Sequence, residues 1–378
     1  MSNSNQCDIV LLSNTYGGVL TYTRNLIKEV SRNHFTLRVY FIARSIEFQK
    51  NDFGKNVNFL TIANLVPNPL TLFRFFSSNA HLIHANFAGV GILAVFFKFA
   101  FNIPFVLTSH GFPQPGLNGR IVEKFKYSIE KKLMRFVGSR ASAIVVVSNY
   151  EKEMLISNFG LKSEVIHNGI DLSLIKRFEK KWAKKEIGFR ETDFVVLFVG
   201  KLIPNKDPLT LIKSIKYASN KRENLRLVIV GTGELDEEIR NKTKRLELED
   251  RVRFFGFIKK EKLSICYSAA DLFVLPSKNE PFGIVLLEAM AFGLPIIVSD
   301  SGAAPEVIGK AGVLFKQGDY KDLGEKILKI MTDFRLRSQL ADLGLKRVKQ
   351  VFSIKEHIKK HLNLYKRILK SNNTKWSK

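Results

Sequence analysis

Short, almost uninterrupted apolar runs alternate along this chain with longer segments whose apolar residues recur every three to four positions. CDIVLL, TLRVYFI, HLIHA, PFVLTS and AIVVVS fall in the first half; FVVLFVG, LRLVIVG, VRFFGF, ADLFVLP, LPIIVS and GVLF fall in the second. A run of Val, Ile and Leu without polar alternation reads as a strand buried on both faces. Such strands need crossover helices between them, so each half predicts one parallel sheet covered by helices. The expected fold class is α/β, with two Rossmann-like, doubly wound domains facing a central cleft and ligands at the carboxyl ends of the strands. Between the two sets lies the polar stretch IHNGIDLSLIKRFEKKWAKKEIGFRETD. It predicts a first domain over 1–175, a linker over 176–190, a second domain over 191–352 and a basic terminal helix over 353–378.

Composition narrows the class. Hydrophobic residues make up 45% of the chain and charged ones 25%, which suits a globular protein and excludes a disordered one. Cys7 and Cys266 stand far apart with no C-x-x-C partner, so neither a disulfide framework nor a zinc site is expected and a reducing, cytoplasmic compartment is the default. The start, MSNSNQCDIVLL, has neither a basic leader nor a long apolar core. The most apolar stretch, Phe87 to Leu107, is interrupted by Lys98, Asn102 and Pro104. A bilayer asks for about 20 clean apolar residues, so a buried helix followed by a buried strand is predicted there.

The charge is uneven. With 60 Lys and Arg against 35 acids, a net +25, the chain should seek an anionic partner. Residues 346–378 carry eleven Lys/Arg and a single Glu, interleaved with Ile354, Ile358, Leu362, Tyr365, Ile368 and Leu369. Residues 120–140 carry seven basic residues and two acids, with Val122, Phe125, Ile129, Leu133 and Phe136 at helical spacing. Both segments predict basic amphipathic helices. Either a solvated face over an ordinary core contact or peripheral attachment to an anionic leaflet, on the inner face of the plasma membrane, would use that pattern. Nucleic acid is not expected, because no recognition motif of the usual families is present.

Several strand ends carry candidate chemistry. Gly17 and Gly18 open the helix after the first strand, where glycine lets a ligand approach the backbone. His110 stands just past the end of VLTS. Gly200, Lys201 and Lys206 follow FVV LFV, and an ammonium pair in such a loop can neutralise a diphosphate. Gly231 and Gly233 in VGTGELDEEI lack the third glycine of a dinucleotide fingerprint and are explained by a tightly packed turn. The stretch SKNEPFGIVLLEAMAFGLP is the most informative: Glu280 precedes a Pro-Phe-Gly turn, and Glu288 lies about two helical turns further on inside an oily helix. A carboxylate there is costly unless paired, and sugar hydroxyls are suitable partners. The free N–H groups of the turn and helix start favour a phosphate.

The motifs E-P-F-G-I-x-x-L-E, A-x-x-x-G-x-P-I-I and G-A-A-P-E-V-I resemble those of the retaining GT-B glycosyltransferases of family 4. The likeness extends to Gly17-Gly18, His110-Gly111, the HNGID segment at His167 to Asp171, Gly200-Lys201 with Lys206, and Gly256. The resemblance implies a metal-independent hexosyltransferase without cofactor. It would move a hexose or N-acetylhexosamine from a nucleotide sugar, a UDP-sugar favoured over GDP-mannose, to a lipid-linked or glycan acceptor in bacterial surface-polysaccharide (O-antigen, capsule or lipopolysaccharide) synthesis. Residue by residue it implies that Glu280 accepts hydroxyls of the transferred sugar and Glu288 holds the ribose. Lys201 and Lys206 neutralise the diphosphate, helped by amides of Phe282, Gly283, Ile284 and Val285 and by Gly18. Main-chain groups near Phe257 and Ile258 meet the base, and His110 contacts the donor sugar. Reaction would be front-face substitution through an oxocarbenium-like state, the leaving phosphate helping to deprotonate the acceptor. The terminal helix would pack back on the first domain. The chain departs from the family at Lys201, where Arg is usual and could grip phosphate with two parallel hydrogen bonds. Two rivals are a GT-B-like nucleotide-sugar epimerase and a non-catalytic basic subunit on a transferase scaffold.

Overall fold

The computed structural model describes residues 7–13, 35–41, 80–111 and 121–372. The apolar runs are strands of two six-stranded parallel sheets. The first contains β1 (Cys7–Ser13), β2 (Phe35–Phe41), β3 (Ala80–Asn86), β4 (Phe105–Ser109), β5 (Ala143–Val146) and β6 (Glu164–Val165), in the order β2-β1-β3-β4-β5-β6. The second contains β7 (Phe194–Val199), β8 (Leu225–Val230), β9 (Val252–Gly256), β10 (Leu272–Leu275), β11 (Ile296–Ser299) and β12 (Gly312–Phe315), in the order β12-β11-β10-β7-β8-β9. Every pairing is parallel.

The chain divides into two compact units: residues 1–169 with 354–378, and residues 170–353. The division differs from the expected boundary at 175. The stretch 176–190, expected as a linker, is folded into the second unit. Its Lys180–Glu186 helix is capped by the Glu179 carboxylate, and Lys184 is buried 2.9 Å from Asp271 while donating to the Asp193 carbonyl at 2.6 Å. Counting charges alone hides such a pair, because a buried lysine and a solvated one look alike in sequence.

In the first unit the period-two geometry of strands sorts neighbours to opposite faces. Leu82, Val106 and Val145 point to one face with Ile9 and Leu11; Ile83, Phe105, Leu107, Ile144 and Val146 point to the other. The second face is covered by the Ala88–Phe101, Ile121–Gly138 and Asn149–Phe159 helices through Val95, Phe97, Met134, Val137 and Leu155. The first is covered by the Ile354–Ser371 helix, which buries Ile358, Leu362, Leu364, Tyr365, Ile368 and Leu369. The apolar face once eligible for a membrane is therefore core, and the lysines of that helix face water: Lys355, Lys359, Lys360 and Lys366 are exposed. The Ala88–Phe101 helix departs from expectation in the other direction. It was expected to be buried, yet only one side of it is; Ile92, Phe96, Phe99 and Phe101 stand exposed. Among the described residues no helix is long and apolar enough to cross a membrane.

Candidate functional site

The second sheet has a strand order that reverses between β7 and β10. From β7 the chain proceeds outward through β8 and β9, then returns to β10 and proceeds the other way. At such a reversal the loops leaving the two central strands part and open a crevice. The loops that leave here are Gly200–Asp207 and Pro276–Gly283, so the topology brings Lys206 and Glu280 together.

They meet directly. Lys206 forms an ion pair with Glu280 Oε2, and Ser277 Oγ donates to the same oxygen at 3.0 Å. Glu280 is buried. Its loop is tied to the β7 loop by Asn205, whose carbonyl accepts from the Lys278 amide at 2.8 Å and whose Nδ2 donates to the Asn279 carbonyl at 2.9 Å. From the far side, the loop after β11 supports it. The Ala303 amide donates to the Glu280 carbonyl at 2.7 Å, and Ser301 Oγ donates to the Lys278 carbonyl at 2.8 Å. At Gly302, with φ 65°, a Cβ would press into the Glu280 backbone, so the G-A-A-P-E segment needs glycine there.

Just beyond Glu280 the chain turns through Gly283, which has φ 83°, and enters the nine-residue Ile284–Phe292 helix. Phe282 is buried edge-on against Phe352, so its side chain serves the core and only its backbone faces the turn. Gly283 has no side chain to cap the helix, and the first-turn amides of Ile284 and Val285 have no carbonyl one turn back within the helix. Their positive end favours anions. About one turn into the helix, Glu288 is partly buried and accepts from the Tyr267 hydroxyl at 2.8 Å. Burial raises its pKa above the ordinary carboxylate value, and the Tyr267 hydrogen bond opposes that shift. The sequence assigned the buried carboxylate a ligand as partner; the protein itself supplies one for Oε2. Tyr267 is stacked on Phe292 at 4.9 Å.

The neighbouring loops complete the strand-end surface. A Cβ at Gly231, where φ is 135°, would overlap the Gly200 carbonyl, and one at Gly233 would overlap that of Leu202. These glycines let the β8 loop press against the Gly200–Lys201 loop, and the Leu202 amide donates to the Thr232 carbonyl at 3.0 Å. Lys201 is exposed. Beyond β9, Phe257 is 88% exposed and Ile258 partly so. Ser277, Asn205, Tyr267 and Ser301 were not singled out from sequence. Nothing in residue type marks them; only the convergence of three loops and, for Tyr267, the meeting of the Lys260–Ala269 and Ile284–Phe292 helices does.

In the first unit, Gly17 and Gly18 lie outside the described residues. The order of the first sheet reverses between β1 and β3; β3 ends at Asn86, and Phe87 follows it. His110, just past β4, has its Nε2 3.4 Å from Asn86 Oδ1 and its ring 5.4 Å from Phe87. Burial, with His357 as a secondary cause, lowers its pKa to about 3, so it is a neutral imidazole. Phe87 has φ 85°, unusual for a bulky residue and of the kind found where a site constrains the chain. A cavity of about 490 Å³ opens beside it, lined by Phe87, Leu107, Thr108, Glu130, Leu133 and Met134 among others. Among the described residues no group of three or more His, Cys, Asp or Glu is arranged to hold a metal ion.

Comparison with known proteins agrees with this geometry. The family "Glycosyltransferase Family 4" matches residues 16–174, and "Glycosyl transferases group 1" matches residues 179–347. An uncharacterized glycosyltransferase of Methanocaldococcus jannaschii is 31% identical over 233 residues, 59% of this chain and 59% of the relative. Mannosylfructose-phosphate synthase of Agrobacterium fabrum is 27% identical over 303 residues, 73% and 66% of the two chains. The capsular polysaccharide biosynthesis glycosyltransferase CapM of Staphylococcus aureus is 29% identical over 250 residues, 63% and 65%. The chain thus spans about three fifths to two thirds of the length of these relatives. Among solved structures, Anabaena HepE in complex with UDP and glucose superposes with a TM-score of 0.82 at 21% identity, covering 96% of this chain and all of that one. Sucrose-phosphate synthase of Thermosynechococcus elongatus gives 0.81 at 20%, covering 97% and 100%. With two family matches that together take in most of residues 16–347, the Glu280–Glu288 segment included, the chain belongs to glycosyltransferase family 4, and its two parallel-sheet α/β units are those of the GT-B fold.

Proposed function

We propose that the protein is a retaining, metal-independent glycosyltransferase that moves a hexose or N-acetylhexosamine from a UDP-sugar to a hydroxyl of a lipid-linked glycan in bacterial surface-polysaccharide assembly. The observation that carries the reading is the junction of Lys206, Glu280 and the glycine-led Ile284–Phe292 helix at the reversal of the second sheet. A cation, a carboxylate and an anion-favouring helix end suit a ligand that is part diphosphate and part sugar. The diphosphate lies at Lys201, Lys206 and the amides of Ile284 and Val285, with Gly200 allowing close approach. Cations that neutralise the departing phosphate do the work a divalent ion would do elsewhere, and catalysis is mainly electrostatic and positional. Glu280 Oε2 is already held by Lys206 and Ser277, which fixes the carboxylate for the hydroxyls of the transferred sugar. Glu288, oriented by Tyr267, takes the ribose, and backbone near Phe257 and Ile258 meets the base. His110, neutral, accepts or donates one hydrogen bond at the donor sugar without bringing charge.

The preference for UDP is supported by HepE, whose solved complexes contain UDP. The surface-polysaccharide setting is supported by the likeness to the staphylococcal capsular enzyme. Calorimetric titration with UDP, GDP and ADP tests the donor site, and the anomeric configuration of the product by NMR tests retention. Activity undiminished by EDTA is expected. Failure to bind any nucleoside diphosphate sinks the reading and favours a non-catalytic scaffold; conversion of the nucleotide sugar with no acceptor present favours an epimerase.

A further inference from the structure

Fifteen large apolar side chains stand exposed among the described residues, and eight of them lie on three successive helices of the first unit. On Ala88–Phe101 they include Ile92, Phe96 and Phe99, spaced i, i+4, i+7, hence one stripe, on the side away from buried Gly91, Ala94 and Val95. On Ile121–Gly138, Phe125, Ile129 and Phe136 share one stripe with exposed Lys132 at the same spacing, opposite buried Met134 and Val137. The two helices pack against each other. Each therefore has two apolar sides, one in the core and one in water, and Phe99 and Phe125 are 73% and 68% exposed. Burial of a phenylalanine is worth roughly 1.5–3 kcal/mol, so a plate of them left in water implies an occupant.

The occupant's chemistry follows from the cations set among the rings. The Arg140 guanidinium lies 4.0 Å over the Phe136 ring, and Lys98 Nζ donates to the Arg140 carbonyl at 2.6 Å. Lys132 and Arg135 are exposed, whereas Glu130 lines the inner cavity. Protein interfaces deplete lysine at their apolar centres; a lipid leaflet welcomes it, because the ring enters the acyl boundary while the ammonium reaches the headgroups. The rival basic helix, Ile354–Ser371, has spent its apolar face on the core.

We propose that the exposed face of the Ala88–Phe101 and Ile121–Gly138 helices is the surface by which the protein sits on an anionic lipid leaflet. The purpose of this contact rests on the lipid-linked acceptor proposed above, but the contact itself is measured without donor or acceptor, so either reading can fail alone. The experiment is co-sedimentation of the full chain with phosphatidylglycerol-containing vesicles and with phosphatidylcholine vesicles, at low and high salt. Binding is expected only to the anionic vesicles, weakened by salt. F96S/F99S/F125S should lower apparent vesicle affinity at least about 100-fold, given three partly buried rings, while F96L/F99L/F125L keeps most of it. Removing Lys359, Lys360 and Lys366 should change it less than about threefold, since these lysines lie on a helix with no free apolar face. UDP binding by the serine variant, unchanged from wild type, reports that the chain still folds. The proposal is overturned by a wild type that stays in the supernatant, by a serine variant that binds like wild type, or by stronger dependence on the terminal-helix lysines. It is equally overturned if the wild type is a dimer in solution that the serine variant splits, for then the plate faces a second copy of the chain.

Discussion

Both units carry a six-stranded parallel sheet whose order reverses near its centre, but they handle polar interiors in opposite ways. All seven histidines fall in residues 1–169 and 354–378, and residues 170–353 contain none. In the first unit three of them form a buried cluster that joins β3, through His84, to the terminal helix, which supplies His357 and His361. His84 is hydrogen-bonded to Tyr365 at 2.5 Å and to Thr108 at 2.6 Å, its ring stacks on His361 at 5.7 Å, and His361 lies 4.5 Å from His357. The second unit instead places an ion pair, Lys206–Glu280, at its strand-end crevice. Neutral imidazoles are inexpensive to bury at neutral pH and can join two elements; charged pairs serve where a ligand brings charge of its own. The first unit uses buried polarity to attach its terminal helix, and the second sets a charged pair at its crevice besides the Lys184–Asp271 pair that holds its own segment 176–190.

Acid should break this symmetry most strongly. Burial lowers the pKa of His84 and His110 to about 3 and of His357 to about 4, and lowers His361 as well, from an ordinary 6.5. The unfolded chain takes up these protons first, so the stability they contribute is complete above pH 6.5 and is lost as pH falls toward the folded values. For His84, His110 and His357 the cost is about 1.4 kcal/mol per pH unit in that window, roughly 2 kcal/mol apiece by pH 5. Peptide-resolved hydrogen exchange between pH 7 and 5 should show protection collapsing in the first unit and persisting in the second. Equal loss in both would remove the distinction. Leu369→Ala, in the same cluster, should cost about 2–5 kcal/mol and lower protection of β1 and β3 while leaving β7 and β10 unchanged.

The crevice predictions are smaller and fall on rate or affinity. Lys206→Ala should raise the barrier to sugar transfer by about 2–4 kcal/mol, as for loss of a donor to a developing anion. It should exceed the effect of Lys201→Ala, because Lys206 also partners buried Glu280. Wild-type turnover in the Lys206 variant would refute the assignment. Glu280→Ala should mainly lower turnover and spare UDP affinity, whereas Glu288→Ala should mainly weaken UDP binding. The smallest effect is expected for Tyr267→Phe, about 0.5–1.5 kcal/mol in UDP affinity from one hydrogen bond. No change by calorimetry would mean that Tyr267 does not orient Glu288 for the nucleotide.

What could be read in the sequence follows the same division. The strands were legible because Val/Ile/Leu runs such as FVVLFV have no other use, and the Glu280 turn because Pro-Phe-Gly ahead of an oily helix is a pattern local in sequence. Asn205, Ser301 and Tyr267 were not legible, since each matters only through a loop or helix distant in the chain. The segment 176–190 was misread because Lys184 and Asp271, 87 positions apart in number, cancel each other's charge inside the fold. The outer stripe of Ala88–Phe101 was invisible for the reverse reason: a helix with apolar residues on every side reads as buried, and periodicity cannot say that one side lacks a cover.

The route of the chain through the first unit has a consequence for how the protein is made. Ile358, Leu362, Tyr365 and Leu369 pack against Ile9 and Leu11 of the opening strand, with the whole of residues 170–353 between them. During synthesis the ribosome therefore releases the second sheet entire before it delivers the side chains that seal the first. The nascent opening strands wait with an uncovered apolar face while a later unit folds ahead of them, so a chaperone that shields early apolar segments should engage residues of β1 and β3 rather than those of β7 and β10.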